Sequence, residues 1–302
     1  MELVIHTEDL TKYYGDRRGI VGLDLDVAPG EVFGFLGPNG SGKTTTIRTL
    51  LDFLRPSSGR AYLFGMDSRT DSVKIRAKVG NLPGEFNLDD RMTGEQLLAF
   101  FGRLRGVDGL GHARELARRF EVDLTRPMRQ LSKGNEQKIG LVQALFHRPP
   151  LLILDEPTSG LDPLVQEEFH EILDEVRNEG RTVFFSSHVL SEVEHLCDHV
   201  GIVREGELVA LETTDTLLAK RRRHMTVTFA DPIDGALFAR LPGVSDVHTD
   251  GTTMALQLTG GIDRVVKLAA RYTIVDLELA RPNLEEVFFT YYGGGPDGKG
   301  TA

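Results

Sequence analysis

Gly37-Pro38-Asn39-Gly40-Ser41-Gly42-Lys43-Thr44 is the stretch that decides the fold. Two glycines separated by four residues, then Lys and Thr, form the pattern of a phosphate-binding P-loop. Upstream, Val32, Phe33, Phe35 and Leu36 make an apolar run that predicts a buried parallel strand, and Lys43 to Phe53 predicts a helix. Glycines between strand and helix let backbone N–H groups converge on phosphate oxygens at the positive end of the helix dipole. Asn39, Gly40, Ser41, Gly42, Lys43, Thr44 and Thr45 are therefore the expected triphosphate cradle. Lys43 is placed to reach the β- and γ-phosphates, and the Thr44 hydroxyl to hold Mg²⁺. A chance glycine-rich turn is the competing reading, and the strand and helix on either side argue against it.

A second motif supports the same chemistry. Leu151-Leu152-Ile153-Leu154 predicts a short buried strand that ends in Asp155-Glu156. Ligands of open α/β sheets bind at the carboxyl edge of the strands, which is where these two acids emerge. Asp155 is expected to bind Mg²⁺, directly or through water. Glu156 is expected to act as general base on the water that attacks the γ-phosphate. An ordinary strand ending in a solvated acidic turn is the alternative for this motif taken alone.

Further stretches narrow the reading. Leu131-Ser132-Lys133-Gly134-Asn135 opens a helix with apolar Ile139, Val142, Leu145 and Phe146. Ser159-Gly160-Leu161-Asp162 follows the acidic pair, Ser187-His188 ends a strand from Thr182 to Ser186, and Tyr13-Tyr14-Gly15 precedes the P-loop. In this order, over residues 1 to about 210, the chain resembles an ATP-binding-cassette ATPase, the nucleotide-binding subunit of a transporter. The resemblance implies ATP and Mg²⁺ as ligands. It implies that Tyr14 stacks on adenine, with Tyr13 a packing residue. Ser132, Gly134 and Asn135 would face ATP bound to a second copy of the chain, Asp162 would link the two sites, and His188 would sense the γ-phosphate. The competing structural roles are a core tyrosine, a helix-capping serine and a satisfied core histidine.

Two departures from the family pattern stand out. Lys133 and Asn135 replace a glycine and the glutamine of the signature, and Asn keeps the amide on a shorter stem. After Val79-Gly80-Asn81-Leu82-Pro83, the position of the expected glutamine holds Gly84, with Glu85 beside it as a possible substitute ligand.

The expected architecture is α/β. A P-loop nucleotide-binding core carries a helical subdomain over about 85–148, together filling 1–214. A small α+β module occupies 215–292, and a disordered glycine-rich tail fills 293–302. In the module, Met225–Phe229, Val244–His248, Thr253–Thr259 and Ile274–Ala280 are predicted strands, with an Asp250-Gly251 hairpin turn. Helices are predicted over Gly235–Leu241, Ile262–Tyr272 and Leu284–Tyr292. The β-α-β-β-α-β order resembles a ferredoxin-like fold. Pro282 to Phe289 resembles the terminal segment of the drug and antibiotic export branch of these ATPases.

Composition sets limits on partners. With 35 basic and 45 acidic residues, the net charge of −10 argues against broad affinity for nucleic acid or anionic membrane. Lys220-Arg221-Arg222-Arg223 is the one basic run, read as a solvated domain junction, with a headgroup contact as the lesser alternative. Apolar runs fall short of the roughly eighteen residues of a membrane helix, so direct insertion is not expected. A lone Cys197 suits a reducing compartment. His195, Cys197 and His199 lie close in sequence, but a helix leading into the strand Val200–Val203 is the simpler reading than a zinc site. The resemblance thus implies a homodimeric ATPase on the cytoplasmic face of the membrane, powering drug or antibiotic efflux through a separate transmembrane subunit. A soluble cassette ATPase not coupled to transport, and an ATP-binding regulatory module, are the alternatives.

Overall fold

The computed structural model describes residues 3–84, 91–219, 223–259 and 262–280. The predicted Leu284–Tyr292 helix, the Pro282–Phe289 segment, the tail, Glu85 and residues 220–222 of the basic run lie outside these. Chain contacts divide the molecule into two units, residues 1–214 and 215–302.

The first unit opens with an antiparallel pair, β1 (Ile5–Tyr14) and β2 (Arg17–Val27). Next come β3 (Val32–Leu36), α1 (Lys43–Leu50), β4 (Ser58–Leu63), β5 (Met66–Asp67), α2 (Ser72–Ala77) and β6 (Val79–Leu82). Three helices form the helical lobe: α3 (Gly94–Arg105), α4 (Gly111–Arg119) and α5 (Lys133–Leu145). The chain then returns through β7 (Leu151–Asp155), α6 (Pro163–Asn178), β8 (Thr182–Ser187), α7 (Leu190–Leu196), β9 (His199–Arg204) and β10 (Glu207–Thr213). α8 (Thr214–Ala219) follows, and from Asp215 on it belongs to the second unit.

A six-stranded sheet in the order β10-β9-β3-β8-β7-β6 is parallel except at its β10 edge. Every residue of β3, β7 and β8 is buried. That is why these strands read as continuous apolar runs: both faces of the sheet are covered. Register aligns Leu36 with Ser187 and Asp155 with Ser186, so the P-loop, the acidic pair and His188 leave the sheet at one carboxyl edge. Phe184 anchors the middle, its ring 5.6 Å from Phe33 and 5.3 Å from Phe35.

A second sheet, β2-β1-β4-β5, is antiparallel. Its Ile5, Leu10, Ile20 and Leu25 share one core with Phe33, Phe35 and with Ile47 and Leu50 of α1. In the helical lobe α3 and α4 pack on α5, and α3 begins with a reciprocal cap between Thr93 and Gln96. α6 closes on Gly180, whose N–H donates to the Arg177 carbonyl while Arg181 N–H donates to Val176. With Gly180 at φ 75°, this is a Schellman end.

In the second unit, β11 (Arg223–Phe229), α9 (Ala236–Ala239), β12 (Val244–Asp250), β13 (Thr253–Leu258), α10 (Asp263–Ala269) and β14 (Ile274–Ala280) follow in turn. The antiparallel sheet runs β12-β13-β11-β14. Met225, Val227, Phe229, Met254 and Leu256 face Phe238 and Val265 in its core. Asp250 pairs with Thr253, so the hairpin loop is Gly251-Thr252, one residue later than predicted. Helices α9 and α10 are shorter than the sequence pattern implied, because their apolar spacing runs on into the flanking turns.

Candidate functional site

The P-loop joins β3 to α1. Gly42, at φ 112°, is the N-cap of α1 and provides no side-chain acceptor. The first intrahelical bond runs from Thr46 N–H to the Gly42 carbonyl. Amides of Lys43, Thr44 and Thr45 therefore open onto the loop without an intrahelical acceptor, the arrangement that receives an anion. A Cβ on Gly42 would stand 2.9 Å from the Gly19 carbonyl, so only glycine fits there. Lys43 is 5% exposed, and its ammonium donates to the carbonyls of Gly37 at 2.6 Å and Pro38 at 3.2 Å. It also lies 3.1 Å from Glu156 Oε1 in an ion pair not aligned as a hydrogen bond.

β7 delivers Asp155 to the same edge. Its Oδ1 accepts the Ser186 hydroxyl at 2.5 Å, while Oδ2 is buried without a hydrogen-bond partner. Ser41 Oγ, within the P-loop, is likewise buried and unpartnered. A free carboxylate oxygen together with the Thr44 hydroxyl is a donor set suited to a hard divalent cation. Glu156 adopts φ 51°, a left-handed backbone that costs a non-glycine residue energy. Neighbours hold it there: its N–H donates to the Ser186 carbonyl and Oγ, and Gln137 Nε2 donates to the carbonyls of Glu156 and Pro157. His188, 51% exposed on its side chain, places Nδ1 2.5 Å from Glu156 Oε2. Lys43, Glu156 and His188 are thus one connected cluster.

Lys43 and Glu156 line a cleft of about 540 Å³ that also takes in Tyr14, Asn39, Gly40, Gly42, Thr44 and Thr45. Tyr14 is 45% exposed at its wall, with Lys12 Nζ 5.5 Å from its ring. Tyr13, expected to pack, is 40% exposed instead, because β1 is an irregular strand that turns both rings outward at its end. Arg17 and Arg18 also line the cleft, and Arg18 is engaged by Glu205 at 2.7 Å. Sequence reading missed both, since an Arg pair beside a turn carries no motif.

The signature residues sit at the start of α5. Ser132 caps it, accepting from Asn135 N–H at 3.3 Å, and Asp162 caps α6, accepting from Val165 N–H at 3.1 Å. That bond, with Lys138 nearby, holds the Asp162 carboxyl below its ordinary range. Within one chain the two caps are tied together: Lys138 Nζ is 3.5 Å from Asp162, and a Cβ on Gly134 would stand 2.8 Å from the Gly160 carbonyl. At Gly84 a Cβ would come 3.0 Å from Asp155 Oδ2. The departure from the glutamine pattern therefore lies directly against the free acid oxygen. His195 Nδ1 meets the Ser191 carbonyl, His199 Nδ1 meets Glu31, and Cys197 is buried, so these three side chains face different surroundings.

A sequence profile described as ABC transporter matches residues 20–159, from β2 to just past the acidic pair. The bacitracin transport ATP-binding protein BcrA of Bacillus licheniformis is 32% identical, over 99% of this chain and 100% of its own length. The chain belongs to the ABC transporter family of ATP-binding proteins. The daunorubicin resistance ATP-binding protein DrrA3 of Streptomyces coeruleorubidus is similar at 35% identity, over 97% of this chain and 96% of its own. A solved ATP-binding subunit of an ABC transporter superposes with a TM-score of 0.65 at 28% identity, covering 71% of this chain and 91% of that chain. A dimeric cassette in a post-hydrolysis state, with ADP and Pi, shares the fold at TM-score 0.64 and 22% identity. The cassette binds and hydrolyses ATP. Among its described residues no helix is long and apolar enough to cross a membrane.

Proposed function

We propose that the cassette closes as a homodimer on two ATP molecules and drives a separate transmembrane subunit that exports a drug or antibiotic. Support for the cargo class comes from relatives named for bacitracin, daunorubicin and linearmycin. The observation that carries the mechanism is the Lys43–Glu156–His188 cluster at the open mouth of the P-loop.

ATP phosphates compete for the Lys43 ammonium, which leaves the Glu156 carboxylate for the P-loop amides and the γ-phosphate. Glu156, released from Lys43 but still held by His188, accepts the proton of the attacking water. His188 fixes the orientation of that carboxylate and presents its other ring nitrogen toward the phosphate. Mg²⁺, held by Thr44 and Asp155, would neutralise charge on the phosphate oxygens. Ser132, Gly134 and Asn135 would complete the site of the second copy, with Asp162 linking the two and Tyr14 stacking on adenine.

The partner is placed on a groove of about 260 Å³ between the core and the helical lobe, lined by Phe53, Leu82, Pro83 and Phe101. Arg76 and Arg105 edge it. Burial lowers the Arg105 guanidinium from its ordinary range, and its bonds go to carbonyls and to His147 rather than to a carboxylate. A docking helix of the transmembrane subunit that presents an acidic side chain complements this groove. On this reading the cassette works peripherally, on the cytoplasmic face, through that subunit. The strand order of the second unit reads as a ferredoxin-like accessory domain that supports the dimer or the partner.

Glu156→Gln tests the mechanism. Mg²⁺-ATP turnover should fall by about 10²–10⁴-fold, the worth of a general base, while ATP binding persists and ATP-trapped dimers accumulate on a sizing column. Turnover within twofold of the parent would remove Glu156 from the chemistry.

A further inference from the structure

Glu192 is a buried carboxylate, 6% exposed, on the first turn of α7. Its Oε1 accepts the Thr158 hydroxyl at 2.5 Å, and its Oε2 accepts the Ser187 hydroxyl at 2.8 Å. Thr158 lies two residues after Glu156 on the loop leaving β7. Ser187, the last residue of β8, immediately precedes His188, and its Oγ also accepts from Val189 N–H at 2.9 Å. Among the described residues no Lys or Arg pairs with Glu192. An apolar side chain would fill the same space without the desolvation penalty of a charge. What a side chain with two polar atoms does here, and an apolar one does not, is bind hydroxyls from both segments at once.

We infer that Glu192 is a positioning residue for hydrolysis: its carboxylate ties the loop of Glu156 to the loop of His188 and so sets their 2.5 Å contact. The inference rests on the reading of Glu156 and His188 as the hydrolytic pair. A second tie, Ser186 Oγ to Asp155 Oδ1, joins the same strands one layer deeper and holds the sheet register. Glu192 acts one step further along, tying the last residue of β8 to the loop after β7, past the bonds that Ser186 makes to Asp155 and to the Glu156 N–H.

The test measures kcat and KM for ATP, with thermal midpoints, on the full chain and on Glu156→Gln, Glu192→Ala, Glu192→Gln and Ser187→Ala. Misplacing a reacting group by about an ångström costs up to roughly 10²-fold, so Glu192→Ala should lose about 10- to 100-fold in kcat with KM little changed. Glu192→Gln, which still bridges through its carbonyl and amide, should recover most of that loss. Ser187→Ala should lose severalfold, and its effect should not add to that of Glu192→Ala. Normal kcat in a folded Glu192→Ala overturns the inference, as does Gln no better than Ala with the midpoint falling in step. Should Glu192→Ala not fold, unchanged kcat in Ser187→Ala overturns it equally. Wild-type turnover in Glu156→Gln removes the catalytic reading itself, whereas loss there beside a normal Glu192→Ala removes only the positioning role.

Discussion

Gly134→Ala sets two backbone effects against each other at the start of α5. In a helix alanine is favoured over glycine by roughly 0.5–1 kcal/mol, less in the first turn, so propensity alone predicts a small gain. Against it stands the Gly160 carbonyl, 2.8 Å from where the new methyl must sit. A carbon–oxygen contact relaxes near 3.4 Å, and a backbone carbonyl cannot swing aside as a side-chain tip would. The loop bearing Gly160 and Asp162 must move by about half an ångström, and overpacking of this kind costs about 1–3 kcal/mol. Sterics therefore win, with a net loss of about 1–2 kcal/mol. Gly111→Ala is the control, because nothing lies within 4 Å of its added methyl at the start of α4. Urea unfolding should place Gly134→Ala below the parent and Gly111→Ala at or slightly above it. Turnover should drop in the first and not in the second, since the Lys138–Asp162 contact is strained only in the first. Equal stabilities for the two variants would refute the reasoning.

Three further outcomes are expected. Phe184→Ala, emptying the stack with Phe33 and Phe35, should cost about 3–5 kcal/mol in denaturant unfolding; a loss under 1 kcal/mol would mean the core refills. Burial, and after it the Arg105 charge, pushes His147 down to about 3. The ring is then neutral when folded and gains a proton on unfolding, so its contribution is complete above about 6.5 and is lost as pH falls toward 3. His147→Gln should flatten the acid limb of stability against pH by at most about 1.4 kcal/mol per unit, reduced by residual solvent at the ring; an unchanged slope contradicts it. Cys197 is buried and its thiol is raised well above the ordinary range by that burial, so an aromatic disulfide reagent should label it only after denaturation. Rapid labelling of the native chain would show that α7 opens.

The P-loop, the acidic strand and the strand that runs into His188 were legible from sequence because their environment is encoded locally. Val32–Leu36, Leu151–Asp155 and Thr182–Ser187 lie in a sheet covered on both faces, and such strands need uninterrupted apolar residues. The antiparallel β2-β1-β4-β5 sheet was not foreseen. Its β1 pairing shifts register between Thr7 and Leu10 and again between Lys12 and Tyr13, which breaks the alternation that marks a strand. Gln137, Ser186 and Glu192 went unseen for another reason. Each is a polar residue whose meaning lies in a partner 19 to 34 positions away.

Local chemistry determined the phosphate cradle, the acids at a strand end, the caps Ser132 and Asp162, and the order in which they occur. A few adjacent side chains and their backbone suffice for each, so short-range sequence carries them. Tertiary structure alone decided which of these groups touch. Sheet register brings Asp155 beside Ser186, and two buried hydroxyls meet one carboxylate to hold Glu156 against His188. Contacts between distant segments depend on where packed elements place their ends, and no spacing within a single element records that.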